Sequence, residues 1–170
     1  MALEFYVTIE GTKQGKFKGE STAADHKDQL AGLAFDYEVI SPRDPATGPV
    51  IGKLLRKPIT FTKEWGAASP QLYQALITNE ELKSVEFEFM HTDANGQQIV
   101  YHTIRLVGAA ISRIRQRRLL VGPNELVGPD ELIGPNFRPE LEEVSLVFKR
   151  IIIENKVGGT TVNDDWQVPI

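Results

Sequence analysis

The stretch LEEVSLVFKRIIIENKVGGTTVNDDWQ, Leu141 to Gln167, decides how the chain is read. Apolar residues occupy both faces of an extended backbone as far as Ile153, Gly158 and Gly159 interrupt it, and Asp164, Asp165 and Trp166 close it. Successive side chains of a strand point to opposite faces, so a half-buried strand alternates apolar with polar residues. A strand apolar on both faces needs cover on both, and a chain of 170 residues has limited means of supplying it internally. The expectation is a β protein whose surface is completed by copies of itself.

The rest of the chain reads as further strands. Leu3, Phe5, Val7 and Ile9 alternate with Glu4, Tyr6, Thr8 and Glu10, which is a half-buried strand. After a polar stretch from Gly11 to Gln29, the alternation resumes on Leu33, Phe35, Tyr37 and Val39. Residues 41–57 form a long loop punctuated by Pro42, Pro45, Gly48 and Pro49, and loops of such length without structure of their own are usually functional or disordered. Ile59 and Phe61 read as a short strand. One helix is expected, with Ser69 as N-cap, Pro70 at the first helical position, Leu72, Ala75 and Leu76 on one face, and an end near Asn79. Val85, Phe87 and Phe89 then alternate with Ser84, Glu86 and Glu88 up to the turn Asp93-Ala94-Asn95-Gly96, a hairpin signal because Asn95 and Gly96 both tolerate positive φ. Strands follow over Gln98–Leu106 and Ala109–Arg115. The pattern is mainly β: a β-barrel of two packed sheets with one lateral α-helix and long loops.

Composition sets the outer limits. The length suits a single domain, 1–170, able to bury a core, and 41% hydrophobic with 25% charged residues is ordinary for a globular protein. A net charge of -4 argues against nucleic acid as a partner. Having no cysteine excludes disulfides, thiolate catalysis and cysteine-ligated zinc. MALEFYVTIEG lacks the basic and apolar regions of a signal peptide, and no window approaches the roughly eighteen apolar residues of a membrane span. The chain is therefore expected in the cytoplasm first, without membrane insertion, and any export needs a dedicated machine.

Between Val121 and Asn136 stands a six-residue repeat, VGPNEL-VGPDEL-IGPN. A left-handed β-helix, and with it a hexapeptide-repeat acyltransferase, is the alternative this raises. Proline after every glycine and a glutamate in the fifth position speak against it, and so few repeats cannot bury a solenoid core. Gly-Pro pairs favour turns and remove ladder donors. The preferred reading is a proline-stiffened insertion over residues 119–139, with Leu126, Val127, Leu132 and Ile133 pinning it to the surface or to a neighbour.

Catalytic and metal chemistry find little support. His26, His91 and His102 are scattered, and His102, on the face of Val100 and Ile104, reads as a packed or interface histidine. Asp164-Asp165 reads as a solvated pair in a polar tail, and Glu86 and Glu88 as a solvated strand face. Arg113, Arg115, Arg117 and Arg118 form a charged stripe without interleaved aromatics, which suits acidic residues on an adjacent strand or subunit better than nucleic acid. There is no GxSxG, P-loop or HExxH motif. No enzyme activity, cofactor or metal is expected.

The segments GESTAADHKDQL, KPITFTKEWGAASPQLYQAL, SVEFEFMHTDANGQQIVYHTIRL, LEEVSLVFKRI and GGTTVNDDW, in this order, resemble the haemolysin-coregulated protein (Hcp) family, the tube subunits of type VI secretion systems. The resemblance covers nearly the whole chain and departs from the family over Leu119 to Pro139, where the repeat replaces a shorter connection. It implies a homohexameric ring, rings stacked into a tube within a contractile sheath, a spike and baseplate as partners, secretion on firing, and small effector proteins in the lumen. The tail-tube protein of a phage or phage-like contractile particle is the alternative with the same fold logic. Asp36 to Lys57 corresponds to the loop that family members project toward the neighbouring ring, which makes Pro42, Arg43, Asp44, Pro45, Val50, Leu54 and Leu55 candidate ring-stacking residues.

The repeat character of Val121–Asn136 carries one expectation of its own. Replacing this segment by a short Gly/Ser linker leaves the melting temperature nearly unchanged, and a drop of several degrees would show that it contributes to the fold.

Overall fold

The structure, a computed structural model, describes residues 5–118 and 140–166. Leu3 and the 119–139 insertion, with Leu126, Val127, Leu132 and Ile133, lie outside the described residues. Among the described residues eleven strands, one short 3-10 helix (Ala24–His26) and one α-helix follow in order: β1 (Phe5–Gly11), β2 (Gly15–Lys16), β3 (Leu30–Asp36), β4 (Val39–Ile40), β5 (Leu55–Arg56), β6 (Ile59–Glu64), α1 (Ser69–Ile77), β7 (Leu82–Thr92), β8 (Gln98–Arg118), β9 (Glu140–Val147), β10 (Arg150–Asn155) and β11 (Thr160–Asp165). The chain is mainly β, as its alternation demands. Antiparallel neighbours run β8-β7-β1-β3-β6-β9, and β9 pairs back onto β8, so the sheet closes into a barrel; β10 and β11 extend it on one flank.

Closure depends on β8 serving two sides. Its first half pairs with β7 as far as Leu82↔Ala109, and its second half pairs with β9 from Ala110↔Val147 to Arg118↔Glu140. The sequence reads as two strands there, Gln98–Leu106 and Ala109–Arg115. Instead Gly108 turns the strand at φ +61° and pairing continues. It is this positive φ that favours glycine, since the nearest neighbour a Cβ would meet, 2.8 Å away, is the flexible side chain of Lys149. The expected single strand from Leu141 to Ile153 divides at the same level. β9 ends at Val147, β10 begins at Arg150, and the N–H of Lys149 donates to the Val107 carbonyl at 3.3 Å. Below this corner β9 joins β6, and above it β10 turns away to pair with β11.

The interior follows the alternation. Phe5, Val7 and Ile9 of β1, Ile59 and Phe61 of β6, Val85 and Phe87 of β7, and Val144 and Leu146 of β9 are buried together with Leu72 and Ala75 of α1. Leu33 is the exception. Leu30 and Gly32 take the inward positions opposite Val7 and Phe5, so Leu33 points outward, and the bulge between Gly32 and Ala34 returns Phe35 to the core, where its ring meets Phe87 at 5.1 Å. Gly32 faces Phe5 so closely that a Cβ would fall 2.1 Å from the ring. Two local details sharpen the reading. At the hairpin only Gly96 takes positive φ (+80°), because the Asp93 carboxylate accepts the N–H groups of Asn95 (2.9 Å) and Gln97 (2.8 Å) and shapes the turn instead. Ser69 is the first residue of α1 and Ala68 its N-cap; the Ser69 hydroxyl accepts from the Gly66 N–H at 3.0 Å and donates to Glu142 at 2.7 Å.

That engagement belongs to a charged network inside the barrel. Lys63 continues the inward face of Ile59 and Phe61, and Glu142 that of Leu146 and Val144; the two sit opposite each other in the β6–β9 register. Lys63 Nζ donates to Glu142 Oε1 at 2.8 Å, and both side chains are 0% exposed. Ser69 Oγ donates to the same oxygen, and Gln116 Nε2 to Oε2 at 2.9 Å, so both carboxylate oxygens are satisfied. Glu20 approaches Lys63 at 3.4 Å. Burial pushes the Glu20 carboxyl pKa above its ordinary range, against the pull of Lys63.

Removing one member of a fully buried ion pair leaves the other uncompensated, at a cost of about 3–5 kcal/mol. Lys63→Met should lower unfolding stability by that much in urea titration, while Lys63→Met/Glu142→Gln, which keeps an acceptor for Ser69, recovers more than half. A single variant as stable as wild type would remove the pair from this role. For Glu20 a folded pKa raised above the unfolded one means that its stabilising form is the protonated one, present at low pH and lost as pH rises through the folded value. Glu20→Gln should therefore melt higher than wild type at pH 7, with an advantage that shrinks toward pH 4; a lower melting temperature at pH 7 would contradict the sign.

Candidate functional site

Between β3 and β6 the chain leaves the barrel and returns. The expectation was a loop without structure of its own, but residues 39–56 fold into an arm. β4 and β5 pair through Val39↔Arg56 and Ile40↔Leu55, and the Lys57 N–H donates to the Glu38 carbonyl at 3.1 Å. Further out, the Ile51 N–H donates to the Pro42 carbonyl at 3.0 Å and Arg43 bridges to Val50. The prolines remove donors, yet the carbonyls of Pro42 and Pro49 still accept, and this is how a proline-rich segment keeps a hairpin. At the tip the Asp44 carboxylate accepts the N–H groups of Ala46 (2.8 Å) and Thr47 (3.3 Å), while Gly48 supplies φ +83°. These two backbone bonds lower the Asp44 pKa by favouring the carboxylate.

The arm brings most of the expected stacking residues to its surface. Arg43 and Pro45 are exposed, and Pro42 and Asp44 are half-buried by the arm's own turns. Val50 is 56% exposed, Leu55 51% and Leu54 44%. Ile51, at 65%, is the most exposed apolar residue of the arm and was missed, although it directly follows Val50. Val39 joins the same set. Exposed apolar residues scattered singly are normal on soluble proteins, but a cluster on a projection is the mark of a contact surface.

The base of the arm meets the C-terminal strand. Arg56 Nε donates to Asp164 Oδ2 at 2.6 Å and its Nη2 to Oδ1 at 2.8 Å, a bidentate pair with both partners largely covered. Asp164 is therefore an anchored residue rather than a solvated one; the sequence alone could not place it beside a residue of the distant arm. The guanidinium lies 5.1 Å from the Trp166 ring centroid, Trp166 packs edge-on to Phe148 at 5.6 Å, and Phe148 to Tyr37 at 5.9 Å. The Asp164 hydrogen bond holds the Arg56 pKa above its ordinary value, and burial followed by the Asp164 charge pushes that of Tyr37 up.

Other candidates fall elsewhere. Glu88 is not merely solvated: it accepts from Gln29 Nε2 at 3.1 Å and lies 3.9 Å from His26. His26 is buried in a parallel stack on Tyr6 at 3.9 Å, and its Nδ1 is 2.6 Å from Gln29 Oε1. His102 lies 6.0 Å from Phe89, and His91 meets Tyr101 edge-on at 5.3 Å. The arginine stripe faces acidic residues of β9, with Arg115 3.9 Å from Glu143 and Arg118 3.5 Å from Glu140. Among the described residues no group of three or more His, Asp or Glu side chains is arranged to hold a metal, and no helix is long and apolar enough to cross a membrane.

A family model described as "Type VI secretion system effector, Hcp" matches residues 6–154. The chain is 34% identical over 179 residues to the "Major exported protein" of Pseudomonas aeruginosa, covering 100% of this chain and 99% of that protein. It superposes on the crystal structure of an Hcp protein with a TM-score of 0.81 at 27% identity, covering 96% of this chain and 99% of the other. The secreted protein Hcp3 from Pseudomonas aeruginosa gives a TM-score of 0.73 at 30% identity, over 96% of this chain and 97% of the other. Sequence and fold agree along the chain, which belongs to the Hcp family of type VI secretion tube proteins.

Proposed function

We propose that this chain is a structural tube subunit that closes into a six-membered ring, and that rings stack through the arm. The observation that carries the reading is the arm itself: Val50, Ile51, Leu54 and Leu55 stand exposed on a projection whose fold is already complete. An apolar projection that leaves its own barrel finds cover on another molecule, and a second copy of the chain is the partner that a self-assembling protein always has at hand. Contacts between copies that close on themselves give rings, and contacts that do not close propagate along an axis. A tube needs both kinds.

On this reading the ring encloses a lumen that carries small effector proteins, the stacked rings lie inside a sheath, and a spike and baseplate template their growth. The chain is made in the cytoplasm and leaves it when the sheath contracts. It acts through assembly and not through catalysis. Pro42, Arg43, Asp44, Pro45, Val50, Leu54 and Leu55 are then the axial contact residues, with Ile51 added to them.

The arm makes the axial assignment testable. Deleting Pro42–Gly52 and rejoining the hairpin should leave rings with a central hole visible by negative-stain electron microscopy and abolish their stacking. Loss of the rings would place the arm in the lateral contact instead, and stacking as in the intact chain would remove the arm from the axial one.

A further inference from the structure

The arm is fastened to the barrel at both legs. Tyr37 on the outgoing leg packs against Phe148, and Arg56 on the returning leg is bonded twice to Asp164 beneath the face of Trp166. The backbone at Trp166 is fixed in turn, its main-chain N–H donating to the Lys149 carbonyl at 3.1 Å. The hydrogen bonds described above between Pro42 and Ile51 run within the arm, so they shape it without aiming it. The β4–β5 ladder is only two residues long on each side, too short to set a direction unaided. Two parallel N–H···O bonds between planar groups constrain angle as well as distance, and partial burial shields them from salt.

We propose that Arg56, Asp164 and Trp166 form a clamp that sets the angle at which the arm leaves the barrel, and that this angle decides whether a second copy can seat on it. The inference rests on the reading of the arm as the ring-to-ring contact. Arg56 and Asp164 are positioning residues: they act through the arm and do not themselves meet the neighbour. The clamp also ties the last strand to the arm across 108 residues of sequence, so the seating of β11 and the competence of the arm are one event.

Two variants of the full chain separate the clamp from its consequence. Asp164→Asn removes the charge at constant size, and Arg56→Lys keeps the charge but loses the planar fork. Limited trypsin digestion, followed as cleavage after Arg43 and Lys53, reads the freedom of the arm; sedimentation and electron microscopy read stacking. In both variants cleavage should accelerate about tenfold, as local opening becomes easier, while rings persist and stacking falls. Unchanged cleavage in both variants would overturn the clamp. Faster cleavage with unchanged stacking would overturn its link to assembly. If the arm-shortened chain stacks like the intact one, the ring-contact reading falls, and the cleavage assay still decides the clamp.

Discussion

One strand has to satisfy two halves of a barrel, and most of the architecture follows from how it does so. β8 pairs with β7 along its first half and with β9 along its second, which closes the sheet and leaves the barrel without a long free edge between these elements. The turn at Gly108 makes this possible, because a residue with a Cβ would resist a φ of +61°. The neighbouring strand bends at the same level, between Val147 and Arg150. Closure and divergence are thus a single event: below the corner β9 seals the barrel against β6, and above it β10 carries β11 outward to where the arm begins.

The interior near α1 holds a charged pair where an all-apolar core would have been simpler. A buried ion pair gains little net stability over a hydrophobic isostere, but it is exacting about who its partners are. Lys63 and Glu142 meet only in the observed β6–β9 register, and Glu142 also binds Ser69 at the start of α1 and Gln116 of β8. A slip of one residue would turn every side chain of a strand to the other face and strand both charges. The network therefore ties register, helix placement and barrel closure to one another.

In the proposed assembly the arm follows the same logic. Its tip is ordered by its own backbone bonds and by the Asp44 turn, its surface is apolar, and its base is bonded through Arg56 to Asp164 of β11. A projection ordered before binding loses less entropy on docking than one that must fold onto its partner, which suits the proposed contact between rings.

What was legible in the sequence was whatever the backbone alone makes periodic. Phe5, Val7 and Ile9, or Val85, Phe87 and Phe89, announce strands because side chains alternate whatever lies beside them, and Pro70 marks the beginning of a helix because its ring already has a helical φ. The ordered family segments supplied the rest of the identity. The opposite charges that continue two inward faces, Lys63 after Phe61 and Glu142 before Val144, were a signal available in the sequence and passed over. Asp164 was not available in this way, nor was the outward turn of Leu33, nor the reversal by which Gly108 continues a strand while Phe148-Lys149 divides one. Alternation is local and is written in the order of residues. Register, bulges and ion pairs across a hundred residues depend on which strands become neighbours, and only closure of the barrel decides that.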